Sequence, residues 1–368
     1  ELLITIFKNI SSKTYNKSNP SVSLIAVGGY GRCELAPNSD IDILFLIDGK
    51  NKFKNEAIIQ FVLYLLWDLG LSVGHSTRTV EEAIQDSKED LTIRTSILEN
   101  RYIVGNKALF KSLENKFKRL QKLTIPEFIN FKLEEQEKRQ EKMGGSRYVL
   151  EPNIKEGKGG LRDLHTLSWI SKYTSVLKKT ENQDYLNSFS WQYEKNRFDR
   201  AKIFFWSVRC HLHFINNKDN NLLTFDAQQE VAKSLGYKNR KYSLAVERFM
   251  KKYYLTVRDV GNLTRLFCSE LNQKYSRKDV FPSLTFQNLW KKSPFELEGG
   301  LVVLNKNGQD RDHITENPET IIKIFKYAQL KNLDIHPASL KEIWRKKNLI
   351  TRKVIQKSKI GEYFLDIL

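Results

Sequence analysis

The stretch Gly28 to Asp48, GGYGRCELAPNSDIDILFLID, decides the fold and points to the chemistry. Apolar residues before Gly28 and after Asp42 predict two buried strands, with the first ending at the glycine pair. Asp40 and Asp42 open the second strand, and alternate residues of a strand point to one face of the sheet. The two carboxylates are therefore expected to lie close together, where they repel each other unless a cation separates them.

A divalent cation bound with a nucleotide would use both halves of this stretch. Mg²⁺ takes carboxylate oxygens and substrate phosphates as ligands, and a glycine pair such as Gly28–Gly29 lets backbone N–H groups approach a phosphate closely. The alternative is a tight turn followed by solvent-facing carboxylates. Asp42 argues against it, because an unpaired charge inside an apolar run costs several kcal/mol.

The flanking sequence predicts a small mixed sheet with helices packed on it. Residues 55–69 have helical spacing, residues 71–80 alternate as a third strand, and Thr79 with Glu82 forms a capping-box pattern. A further helix is predicted to run through Val104 and to end at Gly105. The resulting layout is β–β–α–β–α.

The rest of the chain is predicted to be mainly helical. Residues 106–143 are helix-compatible, and their charged part, 132–142, is interpreted as a solvated helix face. A short strand is predicted at 148–150, followed by helices to about Cys268 that Gly236 and Gly261 interrupt.

Beyond Leu271 the sequence predicts a linker around Phe281 and Pro282, a hairpin or short strand at 296–305, and helices at 318–330 and 337–348. The predicted fold class is α+β, with a catalytic domain at 1–145, a helical bundle at 146–275 and a small C-terminal segment at 276–368.

Composition narrows the class of protein. The chain has 368 residues, a net charge of +18 and three cysteines far apart in the sequence, which predicts a cytoplasmic protein with no disulfide framework and no zinc site. No apolar run is long enough to cross a bilayer, so no membrane partner is predicted. The positive charge indicates either a polyanionic partner or a lysine-rich codon bias.

The segment KEGKGGLRD, residues 155–163, is a second candidate site. A glycine-rich loop that leads into a helix can bind an anion, and Lys155, Lys158 and Arg162 add positive charge. The alternative is an interdomain turn or hinge.

Several blocks resemble one family. GGYGRCELAPNSDIDILFL resembles the nucleotidyltransferases of the DNA polymerase β type. Together with LLWDLGLSVGHSTRTVEEA, LEPNIKEGKGGLRDLHTLSWI and LLTFDAQQEVAKSLGY, it resembles their PII uridylyltransferase branch across nearly the whole chain. The resemblance implies a metal-dependent enzyme that transfers UMP from UTP to a tyrosine hydroxyl of the PII signal protein and releases pyrophosphate.

The resemblance also implies residue roles. Asp40 and Asp42 are the expected catalytic residues and ligands of Mg²⁺, with Mn²⁺ as an alternative metal. The expected nucleotide contacts are Gly28, Gly29, Arg32, Ser39, Lys155 and Arg162.

Two departures from the wider pattern limit these expectations. Related enzymes carry a third acid on the next strand, where this chain has Gly74 and His75, so either two carboxylates suffice or Glu151, Asp163 or another acid completes the site. Cys33 stands where the branch has glycine; if this position needs a positive φ, cysteine costs roughly 1 kcal/mol.

Longer members carry a phosphohydrolase domain and glutamine-sensing domains that have no counterpart in this sequence, so only the transfer activity is expected. The rival hypotheses are another acceptor, such as a tRNA or a different protein, and a degenerate module that binds a nucleotide or PII without catalysis.

Overall fold

The computed structural model describes residues 1–15, 20–49, 52–177, 192–275, 294–298, 301–304, 313–331, 333–357 and 359–367. The chain forms two compact units, residues 1–261 and residues 262–368. The domain limits expected at 145 and 275 stay predictions, and the linker expected around Phe281 and Pro282 lies outside the described residues.

A four-stranded mixed sheet organises the first unit. Its strands are β1 (Val22–Ala26), β2 (Ile41–Ile47), β3 (Val73–Thr79) and β4 (Arg101–Gly105), in the order β3-β2-β1-β4. β1 pairs antiparallel with β2 and β4, whereas β2 pairs parallel with β3. The predicted α+β class, with a small mixed sheet preceding a helical region, is confirmed.

Helices account for most of the remaining residues of this unit. They are α1 (Leu2–Tyr15), α2 (Gly28–Gly31), α3 (Lys52–Asp68), α4 (Val80–Glu89), α5 (Leu91–Leu98), α6 (Lys107–Leu123), α7 (Ile125–Lys142), α8 (Leu161–Thr174), α9 (Gln192–Asn216), α10 (Phe225–Ser234) and α11 (Ala245–Tyr275), of which α11 begins in this unit.

Packing of α1 and α3 on the sheet builds the core beneath the site. Phe7 of α1 and Val62 of α3 pack with Ile43 and Phe45 of β2, and all four are buried. Ile41, Ile43 and Phe45 therefore face α3, and the alternate residue Asp42 faces the other side of the sheet.

The expected helix through Val104 is wrong, because β4 occupies residues 101–105. α5 ends at Leu98, and the following residues pair with β1, with Val104 opposite Leu24. Helical spacing along the chain does not reveal such a distant pairing partner, and tertiary pairing overrides local preference.

The capping box is confirmed: the Thr79 hydroxyl accepts from the Glu82 N–H at 3.2 Å, and the Glu82 carboxylate accepts from the Thr79 N–H at 2.7 Å.

Four further expectations need correction. Gly28 and Gly29 do not end the first strand: β1 stops at Ala26, and the glycines begin α2. The charged stretch of α7 is not wholly solvated, since Lys132 is buried. Gly261 lies inside α11, and residues 148–150 form no strand.

The second unit contains a hairpin and short helices. β5 (Phe295–Glu298) pairs antiparallel with β6 (Leu301–Leu304), as the sequence predicted. The helices are α12 (His313–Glu316), α13 (Thr320–Lys331), α14 (Pro337–Lys346), α15 (Arg352–Lys357) and α16 (Ile360–Ile367), and α13 and α14 fall where helices were predicted. Among the described helices of the whole chain, none combines the length and the apolar character that a membrane span requires.

Candidate active site

The carboxylate of Asp42 lies between two glycines. Gly74 is its register partner on β3, and Gly28 lies on its other side. A Cβ atom on either glycine would come within 2.7 Å of an Asp42 carboxylate oxygen. Gly28 also has a φ of +56°, a region that side chains disfavour. The position of Asp42 therefore requires glycine on both sides.

Asp40 and Asp42 form a pair whose negative charge is only partly compensated. Burial raises the pKa of Asp42, the neighbouring Asp40 raises it further, and Arg32 and Lys155 oppose the rise. Within the described part of the chain, no cationic side chain forms an ion pair with either carboxylate. This arrangement suits a bound cation better than it suits the empty protein.

A large cleft surrounds the pair in the first unit. Its volume is about 990 Å³, and its walls come from the sheet, α5, α7, α8 and α9. All of the predicted site residues line it, namely Gly28, Gly29, Arg32, Ser39, Asp40, Asp42, Lys155 and Arg162. The structure brings them together, and their individual roles stay predictions.

Lys155 is a half-buried cation held by a structured loop. The Asn153 side chain accepts hydrogen bonds from the backbone N–H of Lys155 at 3.0 Å and of Glu156 at 2.8 Å. Among the described residues, the Lys155 ammonium has no hydrogen-bond or ion-pair partner. Burial, followed by the positive charges of Arg209 and Arg162, lowers its pKa. An anion in the cleft would relieve this repulsion.

Neither acid considered as a third carboxylate lines the cleft. Asp163 pairs with Arg139 and accepts from the Gly159 N–H at 2.7 Å, and Glu151 accepts from the Phe225 N–H at 2.8 Å. No group of three or more potential metal-binding side chains occurs in the described ranges. Mg²⁺ commonly binds one or two carboxylates together with substrate phosphates, and the Asp40/Asp42 pair fits that pattern.

The two predicted arginines are engaged by acidic side chains. Arg32 donates to Glu34 at 3.1 Å and also pairs with Glu99, while Arg162 donates to Glu156 at 2.9 Å. Burial raises the pKa of Glu99 despite the opposing charge of Arg32. Arg32 therefore stabilises one buried and one half-buried acid in the cleft wall, which leaves less of its guanidinium for a phosphate.

A buried histidine extends this network. The His165 Nε2 lies 3.2 Å from Glu34, and burial lowers the pKa of His165 to about 3, so its ring is neutral at physiological pH. Burial alone would raise the pKa of Glu34, but hydrogen bonds and charge from His165 and Lys202 hold it well below its usual range. Since the ring is neutral, the cations that pair with the Glu34 carboxylate are Lys202 and Arg32.

Cys33 adopts the positive φ at which a cysteine is expected to be strained. Its φ is +61°, and its side chain is exposed. A non-glycine residue in this region is strained. The position thus adopts a positive φ, which glycine would adopt without strain.

Arg209 is a cleft residue that the sequence analysis missed. It lies on α9, is 6% exposed, and donates from Nη2 to the Ser39 hydroxyl at 3.0 Å. Its Nε donates to Asn221 at 2.8 Å, and Asp219 lies 3.4 Å from Nη2. Nothing in the local sequence distinguishes Arg209 from other polar residues of a packed helix.

The loop before the aspartate pair has a second anchor on α9. The Asn38 side-chain amide donates to the backbone oxygen of His213 at 3.0 Å. Arg209 and His213 lie one helical turn apart, so α9 holds both Asn38 and Ser39. This contact fixes the chain immediately before Asp40.

The fold and this cleft define a nucleotidyltransferase domain. The family model for the Nucleotidyltransferase domain matches residues 8–104, and the model for GlnD PII-uridylyltransferase matches residues 127–268. A bifunctional uridylyltransferase/uridylyl-removing enzyme of Rhodospirillum rubrum is 40% identical over 376 aligned positions, which include the whole of this chain and 39% of that relative. The chain therefore belongs to the PII-uridylyltransferase family and spans about two fifths of the length of this curated relative.

Proposed function

We propose that this chain transfers UMP from UTP to a tyrosine hydroxyl of a PII signal protein and releases pyrophosphate. The observation that carries the proposal is that one cleft contains an acidic group and a basic group, each only partly compensated. Asp42, beside Asp40, has a raised pKa, and Lys155, beside Arg209, has a lowered pKa. A metal-bound triphosphate brings positive charge to the first group and negative charge to the second.

Asp40 and Asp42 would hold Mg²⁺, or Mn²⁺ in its place, through carboxylate oxygens. Their fit rests on the raised pKa of Asp42 and on the glycines that leave room beside its carboxylate. When bound, the metal supplies charge neutralisation on the phosphates and lowers the pKa of the attacking phenol.

The other cleft residues bind and orient the nucleotide. Lys155 offers its ammonium to the triphosphate, and Arg209 supplies a guanidinium beside the Ser39 hydroxyl. We propose that Gly28 and Gly29 contact phosphates through the backbone and that Ser39 does so through its hydroxyl. Arg32 and Arg162 contribute positive potential from within their ion pairs.

The direct test combines the protein with labelled UTP, Mg²⁺ and the PII protein of the same genome, with and without ATP and 2-oxoglutarate. We expect label on PII. Asp42→Asn should reduce transfer by at least about 100-fold, because the variant lacks the carboxylate that would hold the metal. Full activity of this variant would show that the metal assignment is wrong.

A matched pair tests the phosphate contact. Lys155→Ala should raise KM for UTP about tenfold or more, since a charge-assisted contact to phosphate is lost. Lys158→Ala removes the same charge from the same loop but outside the cleft lining, and should leave KM unchanged.

If PII is never labelled but tRNA binds in a salt-sensitive manner, the acceptor assignment fails and an RNA acceptor takes its place.

A further inference from the structure

An unpaired strand edge lies beside the aspartate pair. β3 is the last strand of the sheet and pairs with β2 on one side; within the described residues, no strand pairs with its other side. Gly74, His75 and Thr77 are exposed along it. An open strand edge offers backbone N–H and C=O groups to an extended peptide.

The cleft face of this edge is close to Asp42. Asp42 pairs in register with Gly74, which has no side chain to separate the carboxylate from the strand edge. Ser76 and Arg78, which alternate with Gly74 on the same face, also line the cleft. A peptide added to β3 would therefore border the cleft directly.

The opposite face of the same edge carries exposed aromatic rings. His75 lies 6.1 Å from Trp67, and Trp67 lies 5.7 Å from Tyr64, both in edge-to-face geometry. Tyr64 is 61% exposed and Trp67 is 45% exposed. We call Tyr64, Trp67 and His75 the aromatic patch; exposed aromatic groups of this kind are enriched at protein interfaces.

Chain topology explains why the patch lies at the end of the sheet where the aspartates are. β2 and β3 are parallel, and α3 returns the chain from the end of β2 to the start of β3. The last turns of α3, which carry Tyr64 and Trp67, therefore lie near the starts of both strands. Asp40 and Asp42 mark the start of β2.

We propose that an extended segment of the acceptor protein docks along the open edge of β3 and that the aromatic patch contacts one face of that segment. This inference rests on the proposed function. Successive strand residues point to opposite faces, so the docked segment would present its acceptor side chain toward Asp42 and the adjacent side chain toward Trp67. The acceptor is the occupant because this edge continues the wall of the catalytic cleft.

Site-specific cross-linking tests the docking site without requiring turnover. With p-benzoylphenylalanine in place of Tyr64, we expect light-dependent cross-linking to PII within a few residues of its acceptor tyrosine. The same group in place of Phe53, which is 88% exposed and roughly 16 Å away along α3, should give no cross-link. Cross-linking at both positions, at neither, or to a second copy of this chain overturns the proposal.

Binding constants separate this proposal from the function on which it rests. Trp67→Ala should weaken binding of PII about tenfold, as expected for an interface aromatic, and should leave the Kd for UTP with Mg²⁺ unchanged. Phe53→Ala should change neither constant. Unchanged PII affinity in Trp67→Ala overturns the docking site, whereas failure of the unmodified chain to bind UTP contradicts the proposed function alone.

Discussion

Arg209 on α9 donates a hydrogen bond from Nη2 to the Ser39 hydroxyl at 3.0 Å, one residue before Asp40. The helical region of the first unit thus holds the loop that precedes Asp40 and Asp42. Because Arg209 also lies near Lys155, the same guanidinium adds to the positive field that a triphosphate would meet. If the proposed function holds, one side chain both positions the aspartates and attracts the nucleotide.

Arg209→Ala should therefore lower kcat/KM for UTP by about 100-fold, since small misplacements of reacting groups and lost charge both reduce the rate. Arg209→Lys keeps the charge without the planar fork and should recover part of KM but little of kcat. Arg200→Ala, on the same helix but outside this cleft, is the control. Equal effects of Arg200→Ala and Arg209→Ala on steady-state kinetics would contradict this role.

Gly74→Ala tests the close approach of β3 to Asp42, the proposed metal ligand. The added methyl would lie 2.7 Å from an Asp42 carboxylate oxygen, so the carboxylate must move. We expect transfer to fall about tenfold or more while thermal unfolding shows a folded protein. Gly361→Ala has open space around the added Cβ and no positive φ, so it should behave as the unmodified chain does. A fully active Gly74→Ala protein would mean that the observed position of Asp42 is not needed.

Cys33→Gly should stabilise the fold. Cys33 has a φ of +61°, and relief of this strain is worth about 1 kcal/mol in the free energy of unfolding, less some unfolded-state entropy. Asn217→Gly, at a φ of +48°, is the comparison, and its gain should be smaller because asparagine tolerates this region better. Urea unfolding measures both, and a loss of stability in Cys33→Gly would contradict the strain argument.

The raised pKa of Asp42 predicts that ionised Asp42 lowers the free energy of unfolding of the metal-free protein in a pH-dependent way. A carboxyl whose pKa is higher in the folded state favours folding when protonated, so its contribution to stability decreases as pH rises through that pKa. Asp42→Asn should therefore raise Tm near neutral pH without metal, with a difference that shrinks toward acid pH.

Two controls accompany this prediction. Added Mg²⁺ should stabilise the unmodified protein and not the Asp42→Asn variant. Asp40→Asn should lower the pKa of Asp42, measured by carboxyl NMR, because it removes the second cause of the rise. A Tm for Asp42→Asn at or below that of the unmodified chain at neutral pH would contradict the argument.

The sequence was informative where local pattern and chemistry coincide. The apolar run along 40–47 placed Asp42 in a buried strand, and the capping box at Thr79 was visible from residue type and spacing alone. Strand β4 was missed because its identity depends on pairing with β1, more than 70 residues earlier in the chain. The burial of Lys132 was missed for a related reason: the nearest of its aromatic neighbours, Trp169, comes from another helix.

By itself, the sequence determined the α+β class, the aspartate pair and the glycine-rich stretch that precedes it, because these depend on periodicity and on residue types within a short span. Only the tertiary structure decided which charges remain uncompensated. In the folded chain, Arg32 pairs with Glu99, and Asp163 and Glu151 lie outside the cleft lining. Lys155 has no partner among the described residues, and Arg209 donates to Ser39. The physical reason is that electrostatic energy depends on distance and burial, and these are set by helices and strands far apart in sequence.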